Sequence, residues 1–424
     1  MLFWARAAGN AGYFAAVLIL ARSLGPTGRG TIAFITVSAL VLAKVAGFGM
    51  GEATTVLAAR RFEARGALLS NLALFVVTSS LVLGGVGFFV LISVPAERPA
   101  GVDAPELAIM VGATVTIALI EVFGAFLVGC GRLQRLALIT ATATWTYPVL
   151  LGLVWFAAGL TVTSAALAWV SSTAITVLVL LRQSVRGVAL ARPNPRLLLE
   201  SIQFGLRAWV GSLARLLNFR TDQILMGFLA SEAALGIYAV AVNASEALLY
   251  LPAATATALL PVAARADPGE RTEQALRAFR STAVVTVVAG ALAAVLGPIL
   301  LPAVFGAAFD ASVVPFLLLI PGAFGFAATA IFSSALMASS SPGRSSLGPL
   351  VSLAVGIALD LVLIPRFGAS GAAAAASMAF LAGGTAALAV FRRRNRFEWR
   401  SLLLPRRSDL MLFRALAGLA GSPR

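Results

Sequence analysis

The chain has 424 residues, 60% of them hydrophobic and only 12% charged, with a mean hydropathy of +0.95. A soluble globular protein carries about twice that share of charge, so this composition excludes one and points to a polytopic membrane protein. Lys plus Arg number 32 against 17 acids, histidine is absent and Cys130 is the single cysteine, which excludes an internal disulfide and a zinc site and leaves any proton relay to carboxylates.

Apolar runs long enough to cross ~30 Å of hydrocarbon at ~1.5 Å per residue recur about twelve times. They fall near residues 3–21, 31–50, 67–94, 106–129, 136–159, 164–182, 204–229, 233–262, 279–301, 313–338, 346–364 and 370–391. The first has no short basic lead and no small-residue cleavage pattern, and reads as a span rather than a removable signal. Arg6, Asn10 and Tyr13 share one of its faces. Arg6 is either a substrate contact or a side chain that snorkels to the interface.

Lys44, the only lysine, sits inside the second span with no acid within a turn. Two readings are open for it: an anion contact, or a pair with a carboxylate on another helix. The stretch "GFGMGE" (47–52) interrupts that span. Glu121 stands alone on the fourth span, as a proton or cation site or as a counter-ion.

Connector charges set the orientation. Arg60, Arg61, Arg65, Arg132, Arg135, Arg186, Arg192, Arg196, Arg265, Arg271, Arg277, Arg344 and the run "FRRRNRFEWR" fall in one set of connectors. The alternate set holds only Arg22, Arg29, Arg98 and Arg366. The positive-inside bias makes the first set cytoplasmic and puts both termini inside. The fold class expected is all-α integral membrane, with two six-helix lobes around a central cavity. Lobes at 1–182 and 204–391 flank a Pro-broken cytoplasmic linker at 183–203, and a basic cytoplasmic tail occupies 392–424.

The seventh span carries the densest charge. At ~100° per residue, Arg207, Gly211, Arg215, Asn218 and Asp222 share an arc of roughly 80°, while Arg220 points elsewhere. A charge at the bilayer centre costs about 2.5–3.5 kcal/mol on insertion scales, so this stripe must face water, a ligand or a counter-charge. A local pairing of Arg215 with Asp222 is the alternative to a ligand face, and Arg207 is placed to snorkel. On the eighth span Glu246 shares a face with Asn243, Tyr250 and Thr257, and "LPAATATALLP" (251–261) is expected to interrupt the helix. Asp360, near Pro365, reads as structural.

Two blocks carry a resemblance. "LARSLGPTGRGTIAFI" is similar to the A-R-x-L-G-P-x-G-x-G connector of Wzx-like bacterial polysaccharide flippases. "FGLRAWVGSLARLLNFRTDQILMGFLASEAALGIYAVAVNASEALLYLPAATATALLP" resembles their seventh and eighth spans, where R-x-D precedes G-x-Y-x-x-A, here Gly236, Tyr238 and Ala241. That family is a branch of the multidrug/oligosaccharidyl-lipid/polysaccharide (MOP) exporter superfamily. The resemblance implies alternating access and outward movement of undecaprenyl-diphosphate-linked oligosaccharide across the bacterial cytoplasmic membrane. It implies no catalytic residues, no metal and no cofactor, with coupling to H+, Na+ or the membrane potential. It also implies a polysaccharide polymerase and glycosyltransferases as partners, besides the lipid bilayer, and no nucleic acid. The related lipid II flippase holds diphosphate with cavity arginines, whose counterparts by span are Arg6, Lys44 and Arg215.

The residues expected to meet diphosphate or sugar are therefore Arg215, Asp222, Asn218, Lys44, Arg6 and Arg207, with Glu246 and Glu121 as coupling candidates. Guanidinium forks match phosphate oxygens in a bidentate way, which suits this substrate. The alternative is a cation-coupled multidrug exporter of the same fold, which would favour a carboxylate in the first span, where none occurs. The connector "AARRFEARGA" lacks the major-facilitator G-x-x-x-D-R-x-G-R-R pattern. The short external connectors leave no room for an outward-facing enzyme domain.

Overall fold

The computed structural model describes residues 2–93, 99–339, 342–395, 397 and 402, with the side chains of 2–7, 99 and 342 outside that description. Its elements are helical throughout. Helix α1 (Leu2–Ala46) is broken at Gly25, whose φ of 65° only glycine adopts readily, just before Pro26. Then come α2 (Met50–Arg60), α3 (Arg65–Ser93), α4 (Ala104–Gly129), α5 (Leu133–Ala158), α6 (Val162–Val185) and α7 (Pro195–Leu229). They are followed by α8 (Glu232–Ser245), α9 (Tyr250–Arg265), α10 (Pro268–Phe305), α11 (Val313–Ala338), the single turn α12 (Pro342–Ser345) and α13 (Leu347–Arg394). The last is broken at Gly368, with φ 52°.

Among the described residues, nine helices are long and apolar enough to cross a membrane. The chain is an all-α membrane protein. The tenth expected span coincides with α11, and the third to sixth lie within three residues of α3 to α6 at each end. The eleventh and twelfth form the two halves of α13. Helix α7, which contains the seventh, does not reach the apolar threshold because of its charges.

Boundaries differ from the expectation at four places, one being the start of α10 at Pro268 in place of 279. The second span does not end at 50, because after the break at 47–49 the chain resumes as α2 and continues to Arg60. The connector between α6 and α7 is shorter than 183–203. Asn194 accepts hydrogen bonds from the backbone N–H of Arg196 (3.0 Å) and Leu197 (3.3 Å), and Pro195 at the first helical position needs no partner, so the helix begins there. Asn71 of α3 exchanges two 2.8 Å hydrogen bonds with the Asn194 backbone and pins this connector. The interruption of the eighth span lies at Glu246–Leu249, a 3-10 turn, and not at 251–261, which is helical. Pro252 stands in the first turn of α9, where a missing N–H costs nothing. The tail beyond Arg394 lies almost wholly outside the described residues.

The chain divides into two compact units, Met1–Ala239 with Val304–Ala308, and Val240–Ala303 with Phe309–Arg424. In the first, Leu57, Leu68, Leu72, Val122, Phe126 and Leu180 build a core between α2, α3, α4 and α6. In the second, Phe279, Phe332 and Phe391 pack in series, each neighbouring pair of ring centroids 5.1 Å apart. Large apolar side chains stay exposed along α5 and α6, among them Leu153, Phe156, Leu167 and Leu178, as a lipid-facing surface requires.

The two motif blocks meet within the first unit. A Cβ on Gly30 would stand 1.8 Å from the Glu232 carbonyl oxygen, and one on Gly236 would stand 1.9 Å from that of Pro26. The second half of α1 and the start of α8 thus touch backbone to backbone, which only glycines permit. Gly30→Ala should therefore misassemble, at or above the top of the ~1–3 kcal/mol range for overpacking. The check is the monodisperse fraction in detergent, which should fall sharply against wild type.

Candidate functional site

The first unit concentrates its charge where helix is interrupted. After Ala46 the backbone turns at 47–49, with Phe48 at φ 42° and Gly49 at φ 75°. Such a break frees carbonyl groups that must find donors inside a membrane. Trp209 Nε1 on α7 donates to the Lys44 carbonyl at 2.7 Å, and Ser79 Oγ on α3 donates to that of Ala46 at 2.8 Å. The Trp209 ring stacks on Phe48 with centroids 5.5 Å apart. Gly205 lets α7 come this close: a Cβ on Gly49 would stand 2.1 Å from its carbonyl oxygen.

An ion cluster sits at this junction. Lys44 Nζ donates to Glu52 Oε1 at 2.9 Å and also to Glu121 Oε1. The side chains are 15%, 26% and 33% exposed for Lys44, Glu52 and Glu121, so the cluster is half-sheltered. Ser212 of α7 lies beside the Glu52 carboxylate. Two carboxylates on one ammonium leave a net negative charge. Lys44 and Glu121, expected separately as an anion contact and a coupling group, are thus one pair. The absence of an acid within a turn of Lys44 did not leave it unpaired. Glu52 was not among the expected site residues. The glycine-rich stretch beside it was the signal, since a helix break can bring residues eight apart together.

Helix α7 presents two faces. Ser201, Gly205 and Ser212 lie toward α1 and α2, whereas Arg207, Gly211 and Arg215 are exposed on the other side. Among the described residues, Arg207 and Arg215 make no hydrogen bond or ion pair, and Arg215 is not paired with Asp222. Further along, Asn218 and Asp222 are half-buried. Asp222 accepts a hydrogen bond from the Tyr238 hydroxyl and one from the Gln223 N–H at 2.7 Å. Tyr238 is fully buried, so this bond ties α7 to α8 and joins the R-x-D and G-x-Y elements. Arg220, off the stripe, donates to the Phe219 carbonyl at 3.2 Å.

The remaining candidates are scattered. The Arg6 side chain lies outside the described residues, although its backbone belongs to α1. Glu246 begins the 3-10 turn of the second unit and is half-buried, and Asp360 is 4% exposed within α13. Arg29, counted in the sequence only as an external connector charge, is 6% exposed, with an Nε that has no partner among the described residues. The phenols of Tyr13 and Tyr147 are the groups that act on it electrostatically. Replacing Arg29 by methionine should leave stability unchanged or raise it, since a buried cation without a counter-charge costs several kcal/mol. Thermal unfolding in detergent checks this, and a large loss of stability would contradict it.

A family model described as polysaccharide biosynthesis protein matches residues 12–267, which is more than half of the chain and includes the ion cluster, the α7 stripe and both motif blocks. The chain belongs to this family. Its fold is that of the MOP superfamily. The structure of the lipid II flippase MurJ in an inward closed conformation is similar with a TM-score of 0.78 and 14% identity, over 99% of this chain and 96% of the other. A multidrug resistance MATE family transporter of the MOP superfamily, in an inward-facing conformation, is similar with a TM-score of 0.68 and 18% identity, over 91% and 93%. No curated protein matches in sequence. Both of these solved structures are named for movement of a molecule.

Proposed function

We propose that this polysaccharide biosynthesis family protein is a flippase for undecaprenyl-diphosphate-linked oligosaccharide in the bacterial cytoplasmic membrane. The observation that carries the reading is the pair of exposed α7 guanidinium groups, Arg207 and Arg215, which make no hydrogen bond or ion pair among the described residues. A charge within a membrane-spanning helix that lacks a counter-ion needs water or an anionic ligand. A diphosphate is an anion with the oxygen geometry a guanidinium fork fits. Counting the halves of α1 and α13 separately and adding α7 supports twelve crossings in two six-helix lobes, with both termini cytoplasmic by the arginine bias. With the inside negative, outward movement of an anion is favoured by ~2.3 kcal/mol per charge per 100 mV. The Lys44–Glu52–Glu121 cluster and Glu246 are the coupling candidates.

The test is protein-dependent flipping in vesicles. A fluorescent polyprenyl-diphosphate disaccharide in the inner leaflet should become accessible to a membrane-impermeant quencher only when the protein is present. If no polyprenyl-diphosphate saccharide moves under any ion gradient, the reading is wrong. The likeness to a multidrug transporter supports a second reading, a cation-coupled drug exporter. A cavity for cationic drugs should be acidic, and the α7 stripe is the reverse. Deleting the gene should leave tolerance to cationic drugs unchanged, and hypersensitivity would favour the exporter.

A further inference from the structure

Between residues 122 and 199 the chain carries six arginines and not one acid. Four of them, Arg132, Arg135, Arg182 and Arg186, gather where α5 starts and α6 ends. Arg132 and Arg135 lie at the positive end of the α5 dipole, which disfavours them, and Arg182 and Arg186, at the favourable C-terminal end of α6, are like charges at i and i+4. Arg132 plays a structural part, because its guanidinium donates to the Gln183 carbonyl at 2.8 Å and to the Arg186 carbonyl at 3.0 Å. It thereby satisfies carbonyls left open at the end of α6, and Gly187 at φ 75° completes the turn.

Arg135 and Arg186 play no such part. Among the described residues neither guanidinium makes a hydrogen bond or ion pair. Both line a cavity of about 270 Å³ between the two helices, together with Leu138, Ile139 and Gln183. Glu200, the first acid after this segment, is engaged by Arg61 at 2.6 Å. Two cations at the rim and two aliphatic side chains along the wall make an amphipathic site at the membrane interface. Further along α5 the exposed large side chains, Trp145, Val149, Leu153, Trp155 and Phe156, are apolar, so the wall leads toward a lipid-facing surface.

We infer that this cavity binds the headgroup of an anionic phospholipid, with Arg135 and Arg186 on the phosphate and Leu138 and Ile139 against the start of an acyl chain. Basic pockets between helix ends at the inner interface are suited to such lipids, each arginine near the surface contributing about fivefold to affinity. Its volume of about 270 Å³ has room for a phosphate headgroup. The site lies on α5 and α6, apart from the α7 stripe, and does not depend on the proposed transport.

The experiment uses the full chain, purified in detergent and in nanodiscs. Phosphatidylglycerol is titrated into a phosphatidylcholine background, with bound lipid counted by native mass spectrometry and thermal stability followed in parallel. Wild type should retain phosphatidylglycerol and gain stability. Arg135→Gln with Arg186→Gln should weaken retention on the order of thirtyfold. Arg192→Gln with Arg196→Gln, away from the cavity, should not. Leu138→Glu keeps both arginines but sets a carboxylate in the cavity, and should lose the lipid even if the double variant folds poorly. Equal retention by wild type, the double variant and Leu138→Glu overturns the site. Inorganic phosphate at millimolar concentration that gives the same stabilisation makes it a free-anion site and overturns the lipid assignment. Retention of a polyprenyl diphosphate but not of phosphatidylglycerol overturns it as well.

Discussion

Arg215→Glu is expected to abolish surface polysaccharide while the amount of membrane-inserted protein stays at the wild-type level. The side chain is exposed on α7, beside the face that packs on α1 and α2, and bonds to nothing among the described residues. Removing it therefore leaves no buried partner uncompensated, and insertion and folding should tolerate the change. The substrate should not. Charge-assisted hydrogen bonds to a phosphate are worth about 1.5–3 kcal/mol, and reversing the charge adds repulsion to that loss. Transport should fall by roughly a hundredfold or more on that scale. Arg215→Lys keeps the charge but loses the planar fork, so an intermediate loss of roughly tenfold is expected. Complementation of a deletion strain, read as surface polysaccharide per unit of inserted protein, measures both. Full complementation by Arg215→Glu would remove this residue, and the stripe with it, from the substrate path.

What the sequence made legible follows from which forces are local. Span positions came through because the hydrophobic run that crosses a bilayer is contiguous, and α3 to α6 and α11 agree closely with it. The α7 stripe was readable for the same reason: helical periodicity alone puts Arg207, Gly211 and Arg215 in one arc. Pairing across helices was not readable. Lys44 finds Glu121, 77 residues on, and Glu52 across a break in the helix, and no periodic rule reports either contact. Asp222 was legible as an intramembrane charge, but its bond to the Tyr238 hydroxyl belongs to the packing of α8 on α7. Arg29, read from its place between spans as a connector charge, is buried within α1 near the phenols of Tyr13 and Tyr147, a packing that no periodic rule reports. The interruption of the eighth span was misplaced by about one turn, since proline marks where a helix can begin as readily as where one stops.

The ion cluster gives the sharpest separation of structure from function. Lys44→Met leaves Glu52 and Glu121 facing each other without their shared cation. Breaking a buried pair costs about 3–5 kcal/mol, and the partial exposure of both carboxylates places the expected loss here at about 3 kcal/mol or below. Neutralising the acids as well, in Lys44→Met with Glu52→Gln and Glu121→Gln, should recover most of that stability, because an uncharged cluster carries no desolvation penalty. Lys44→Met should therefore express poorly and the triple variant well. Their transport then divides the two roles. If the cluster couples transport to a proton or cation, the triple variant is folded yet inactive, and flipping in vesicles no longer responds to an imposed ion gradient. If it only secures the helix break against α4 and α7, the triple variant flips substrate at close to the wild-type rate. The geometry favours the first outcome. Trp209 and Ser79 already satisfy the carbonyls freed at the break, so the backbone there does not depend on the ions. A structural role would need only one carboxylate for one lysine, whereas here two partly exposed carboxylates share it.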